Sequence, residues 1–182
     1  MPAATRDRIL DVTQRLVQSR GFSAFSYADI AAEIGIRKAS IHHHFPTKAE
    51  LAVALMTRYR ATFGGALMQI TRDHASVGAR LAAYKQLFAN VLRDDHRLCM
   101  CGMFAADYET LPPEVRHEVR AFFDDNEAWL TSVLGAGKKG RAQPRARARV
   151  VLAAFEGAML VARTYRDVAM FEEIADRVLA NL

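Results

Sequence analysis

Apolar residues recur along this chain at helical spacing, and glycine or proline stands where each such run stops. Ile9, Leu10, Val12, Leu16 and Val17 share one face if the segment winds with the period of an α helix. The pattern predicts a helix over residues 5–20, with Thr5 as its N-cap and Gly21 as its stop after a basic Arg20. Phe22 and Phe25 fall in the connection that follows. Ser26 then caps a short helix over 27–34, with Asp29 placed to complete a capping box, and Gly35 ends it. A third short helix is expected over 37–44. Pro46 breaks the chain, and Thr47 caps a long helix that begins at Lys48 and carries Leu51, Leu55, Tyr59, Phe63 and Leu67, with Gly64 and Gly65 inside it.

The same period continues to the C-terminus. After Ser76, the residues Leu81, Tyr84, Leu87, Phe88, Val91 and Leu92 form one face. A helix is expected over 97–107. Pro112-Pro113 starts another, through Val115, Val119, Phe122, Phe123, Trp129, Leu130 and Leu134. The stretch 135–144 is rich in glycine and basic residues and reads as an exposed loop. Two last helices are expected over 144–166 and 168–182. No alternating, β-branched stretch predicts a strand. The fold class is all-α with about nine helices, with two short helices and a turn before residue 47 and longer helices after it.

Composition narrows the function classes. Half of the 182 residues are apolar and 25% are charged, which is globular rather than disordered. The formal net charge of +5 is compatible with nucleic acid without requiring it. The two cysteines, Cys99 and Cys101, exclude a disulfide framework and point to a reducing, cytoplasmic setting. The first residues lack the apolar segment of a signal peptide. No run reaches the roughly 18 to 20 apolar residues of a membrane span, so no membrane partner is expected.

The chemistry concentrates between Ser26 and Leu51. Ile30, Ala31, Ile34, Ile36 and Ile41 supply a small apolar core, and Gly35 permits a tight turn between the two short helices. The second of them carries Arg37, Lys38, Ser40, His42 and His43, a helix of the size that enters the DNA major groove, where base edges are distinguishable. The run Gly35-Ile-Arg-Lys-Ala-Ser-Ile-His-His-His-Phe-Pro-Thr-Lys-Ala-Glu-Leu51, continued upstream by Ser26-Tyr-Ala-Asp-Ile-Ala and Arg20-Gly-Phe, resembles the signature of the tetracycline-repressor (TetR) family over residues 5–55. The resemblance implies a homodimeric regulator that binds palindromic operator DNA and answers to a small-molecule effector, with a helix-turn-helix DNA-binding domain over 1–47 and a helical effector-binding and dimerisation domain over 48–182.

The resemblance also implies roles for matched positions. Ser26 and Ser40 become hydroxyl donors to phosphate, Lys38 a phosphate or base-edge contact, and His44 a phosphate contact. Lys48 becomes a backbone anchor at a helix start. Arg37, Ala39 and His43 fall at positions that read bases. His42 stands where the family usually has tyrosine. An imidazole can still donate to phosphate and changes charge near neutrality, so DNA affinity is expected to fall with rising pH more steeply than in His42→Tyr. Salt-matched titrations of the two proteins test this. Three successive histidines do not make a metal site, because adjacent helical residues point about 100° apart. Phe45 reads as core.

The effector half is less specific. Phe88, Leu92, Met100, Met103, Phe104, Tyr108, Phe122 and Trp129 are candidate ligand contacts, and each also suits an ordinary core. Cys99 and Cys101 are candidate reactive sensors, with His96 and Arg97 near enough in sequence to lower a thiol pKa, or else small buried apolar residues. His96, Cys99 and Cys101 lack a fourth zinc ligand. No cofactor is implied and no catalytic constellation appears. The last two helices read as the dimer face: Ala153, Ala154, Gly157 and Ala158 allow close approach, and Val150, Val161, Phe171, Ile174 and Val178 supply apolar area. Lys138, Lys139, Arg145, Arg147 and Arg149 form a basic cluster that reads as a solvated loop and helix start. The reading is a ligand-responsive transcriptional repressor, released from its operator by a small molecule or electrophile. The alternatives are a thiol-dependent helical enzyme and a non-sensing architectural DNA binder.

Overall fold

A computed structural model describes residues 2–136 and 143–182. Among them the elements are α1 (Pro2–Arg20), α2 (Tyr27–Ile34), α3 (Lys38–His44), α4 (Lys48–Asp73), α5 (Val77–Arg93), α6 (Met100–Ala106), α7 (Pro113–Gly135), α8 (Pro144–Tyr165) and α9 (Val168–Ala180), with a 3₁₀ turn at Tyr108–Thr110. No strand occurs among the described residues. The expected all-α class with about nine helices is what forms. None of these helices is long and apolar enough to cross a membrane.

Most helix ends fall where the local chemistry put them. α1 begins at Pro2, one turn ahead of the expected Thr5, because proline suits a first helical position that needs no N–H donor. α4 runs unbroken through Gly64 and Gly65. Thr47 starts it by accepting from the Glu50 amide at 3.1 Å and donating back to the Glu50 carboxylate. The helix expected over 97–107 is shorter. Asp95 and His96 take left-handed φ values of 58° and 50°, which end α5 and keep the chain out of helix until Met100. Arg97 closes that turn, donating to the Asp94 carbonyl at 2.8 Å and pairing with the Asp94 carboxylate. The basic loop expected at 135–144, with Lys138 and Lys139, lies mostly outside the described residues.

The chain divides into two compact units. The first comprises residues 1–61 and 100–120. Its core is Ile9, Leu16, Val17, Ile30, Ile34, Ile41, Leu51 and Leu55, joined by Phe104 from α6, whose ring lies 5.1 Å from Phe22. α1 packs against α2 and α6, and α2 against α3. The ion pair Arg58–Asp11 lies at its surface, and Arg60–Glu118 is partly buried. The second unit comprises residues 62–99 and 121–182. There α8 packs along α9, and α5 against both. Its interior is aromatic: Tyr84 lies 5.1 Å from Phe88, 5.3 Å from Trp129 and 5.8 Å from Phe155, and Phe63 lies 5.1 Å from Phe122. Lys85–Asp176 and Arg93–Glu172 tie α5 to α9.

Candidate nucleic-acid interface and a buried polar cluster

The helix-turn-helix is held by local hydrogen bonds. Ser26 accepts from the Ala28 amide at 3.2 Å, while the Asp29 carboxylate accepts from both the amide and the hydroxyl of Ser26 at 2.7 Å. These bonds hold the Asp29 carboxyl below the usual carboxylate range. Gly35 takes φ 75°, a conformation open to glycine at little cost, and its amide donates to Ala31. Tyr27 sits beneath the second helix and donates to the Phe45 carbonyl at 2.9 Å. Burial, reinforced by the negative charge of Glu50, pushes its pKa up to about 12. The turn angle is thereby fixed from both sides, and α3 buries only Ile41.

The rest of α3 faces solvent. Arg37, Lys38, Ala39, Ser40, His42 and His43 are exposed and His44 is half-buried. Arg37, Ala39, Ser40, His43 and His44 line one concavity of about 590 Å³, together with Ile36 and Thr5. Thr5 is the residue that sequence reasoning missed here. It was assigned to a helix cap, and no local signal shows that α1 reaches the α3 groove. His42 lies outside the groove. Its ring packs 4.7 Å from Tyr27 and its Nδ1 donates to the Pro46 carbonyl at 3.2 Å, so in the neutral form Nε2 is an acceptor.

Two expected phosphate donors are turned elsewhere. The Ser26 hydroxyl proton goes to Asp29, which corrects its expected outward donation. Lys48 reaches back across the unit and donates to the carbonyls of Phe22 and Phe25, both at 2.6 Å, with its ammonium 4.6 and 4.2 Å from their ring centres. Burial lowers its pKa, and the charges of Asp107 and Asp29 oppose that shift. Asp107 also accepts from the Ser23 amide at 3.2 Å. Lys48 thus organises the α1–α2 connection with two of its three N–H bonds.

The ten expected effector contacts divide between the units. Met100, Cys101, Met103, Phe104 and Tyr108 belong to the first, where Phe104 is fully buried core. Tyr108 lies between the guanidinium groups of Arg116 and Arg120, each 5.5 Å from its ring centre. Phe88, Leu92, Cys99, Phe122 and Trp129 belong to the second. Both cysteines are buried, and Cys99 precedes α6 instead of lying on it.

The neighbour of Cys99 is Glu156, which the sequence reading did not single out. The Glu156 carboxyl is within hydrogen-bonding reach of the Cys99 thiol, and burial pushes its pKa well above the carboxylate range. Its Oε1 is closed to solvent and has no hydrogen-bond partner. Tyr84 completes the cluster, donating to Asn126 Oδ1 at 3.0 Å, while Asn126 donates to the Phe122 carbonyl at 2.8 Å. Burial drives the Tyr84 phenol well above its ordinary range, with Glu156 adding to the shift.

The outer face of α8 is apolar. Val150, Leu160, Val161 and Tyr165 are 57, 55, 46 and 69% exposed, and Ala153 is exposed between them. Phe171, expected to supply apolar area to a dimer face made by the last two helices, is instead fully buried edge-on to Phe155 at 5.7 Å, because its position on α9 points into the unit. Arg145 and Arg149 both pair with Glu127.

Comparison with known proteins gives this geometry a family. Residues 9–55 match the model described as bacterial regulatory proteins, tetR family, and residues 78–177 match the C-terminal domain described as transcriptional regulator LmrA/YxaF-like. A TetR-family transcriptional regulator from Agrobacterium tumefaciens superposes with a TM-score of 0.96 at 34% identity, covering 100% of this chain and 99% of that one. The repressor KstR2 of Mycolicibacterium smegmatis is 30% identical over 72% of this chain, and the nucleoid occlusion factor SlmA of Pasteurella multocida 25% over 71%. The matched stretches span 54% and 65% of those two relatives' lengths. With family models covering both its capped helix-turn-helix and its C-terminal helices, the chain belongs to the TetR family of DNA-binding transcriptional regulators.

Proposed function

We propose that the protein acts as a homodimeric repressor whose α3 enters the major groove of a palindromic operator, and that a small molecule bound in the second unit releases it. The observation that carries this reading is the α3 groove. One solvent-facing surface gathers Arg37, Ser40, His43 and His44 with Thr5, while Ile41 and the Tyr27–Phe45 bond hold the helix from behind. In this reading Arg37, Ala39 and His43 face base edges, and Thr5, Lys38, Ser40 and His44 face phosphates. Lys48 adds a phosphate bond with its remaining N–H. The apolar outer face of α8 pairs with its counterpart in a second copy, which holds two α3 helices about 34 to 36 Å apart, one turn of DNA. An effector that favours a different spacing lowers operator affinity by linkage.

The test is binding to the DNA upstream of the protein's own gene across a salt series. Saturable, competitor-resistant binding is expected, with log K falling steeply against log salt. Removing one phosphate contact, as in Lys38→Ala, reduces that slope by about 0.9. Binding that stays weak and indifferent to sequence there and in a genome-wide selection refutes the reading. One competing reading is an architectural DNA binder whose C-terminal helices only dimerise. A small-molecule thermal-shift screen that finds no stabilising compound supports that alternative.

A further inference from the structure

We propose that Glu156 is the anionic anchor for a cationic effector, a protonated or quaternary organic amine whose apolar remainder lies among the aromatic rings of α5, α7 and α8. The inference rests on the effector-sensing reading above and names the chemistry of its ligand.

The second unit holds a carboxyl group where a purely structural core would not keep one. Glu156 follows the fully buried Phe155 on α8, and its Oε1 is closed to water without a donor. A buried acceptor left unpaired is a cost with no structural return. The titratable groups that act on it are Cys99 and Tyr84, and neither supplies positive charge. Four cations of the packing helices are engaged elsewhere: Lys85 with Asp176, Arg93 with Glu172, and Arg145 and Arg149 with Glu127. Arg80 donates to the carbonyls of His74 and Thr71. No positive group is among those that act on Glu156, so a ligand can bring the counter-charge that would let it ionise. Around the cluster stand Tyr84, Phe88, Trp129 and Phe155, whose π-systems attract a cation. A low-dielectric surrounding strengthens an ammonium–carboxylate contact and penalises an anion in the same place.

Trp129, the chain's single tryptophan, lies 5.3 Å from Tyr84 and reports on the site by its emission. The full-length protein is titrated with benzyltrimethylammonium, with its neutral isostere neopentylbenzene, and with phenylacetate, in fluorescence and in release from operator DNA. The expected result is half-saturation by the ammonium at a concentration at least tenfold lower than by the isostere. E156Q is expected to lose that preference while still binding the operator. Equal responses to cation and isostere, no response to the cation, or a preference that survives in E156Q each overturn the proposal. Release by phenylacetate or neopentylbenzene alone removes the cationic assignment and leaves the sensing reading standing. Absence of specific operator binding by the unliganded protein removes the regulator reading itself.

Discussion

Replacing Lys48 by methionine separates holding the DNA-binding unit together from holding DNA. Methionine keeps the apolar stem and removes the ammonium. The change deletes two hydrogen bonds of 2.6 Å to the Phe22 and Phe25 carbonyls and the contacts of the charge with both rings. A hydrogen bond from a charged donor contributes about 1.5–3 kcal/mol, and a cation–π contact about 0.5–2 kcal/mol. Against these stand the desolvation that lowers the pKa of Lys48 and the access of water to a half-buried site. The net loss is set at about 2 kcal/mol, nearer one bond than the sum. Urea unfolding at matched protein concentration measures it, and amide exchange at residues 22–26 should accelerate first. The salt dependence of operator binding then assigns the third N–H. A slope reduced by about 0.9 means that it meets a phosphate, whereas an unchanged slope with weaker affinity means that Lys48 acts through the loop alone. Stability within about 0.5 kcal/mol of the parent protein, the range of an ordinary surface substitution, would refute the structural reading.

Three further outcomes follow from the same geometry. Glu156 keeps its proton in the folded state to a higher pH than in the unfolded chain, so stability falls as pH rises from the ordinary carboxylate value through the folded one. The slope reaches about 1.4 kcal/mol per pH unit; Glu156→Gln should flatten it and be the more stable protein at pH 7, as urea melts at pH 5, 6 and 7 will show. Tyr84→Phe strips Asn126 Oδ1 of its donor in a site where both residues are buried, and should cost about 1–3 kcal/mol in the same assay; a neutral result means that water reaches Asn126. Gly35→Ala meets nothing within 4 Å, so its cost is conformational only, about 1–2 kcal/mol for a left-handed alanine, and a larger loss would mean that the α2–α3 angle itself had shifted.

Sequence determined most where donor and acceptor lie within one turn of each other. The Ser26–Asp29 box, the left-handed Gly35, the Thr47–Glu50 pair and the Ser76 cap at 3.2 Å all bond across no more than four residues, so residue type and spacing suffice to read them. The apolar period likewise gave the helices and the inward side of α3, because a helix turns one face to its core regardless of what fills that core. The tertiary structure decided what depends on distant partners. Lys48 reads as an exposed cation until carbonyls 23 and 26 residues away take its protons. α6 and its Phe104 follow α5 in the chain yet build the core of the first unit. Phe171 turned inward while Val150 and Leu160 stayed outside, a choice between faces that two similarly amphipathic helices do not announce. Thr5 joined the groove only because the first turn of α1 lies beside α3. Glu156 carries no local mark at all, since a glutamate on a helix is ordinarily solvated, and only the packing of α8 closes water away from its carboxyl.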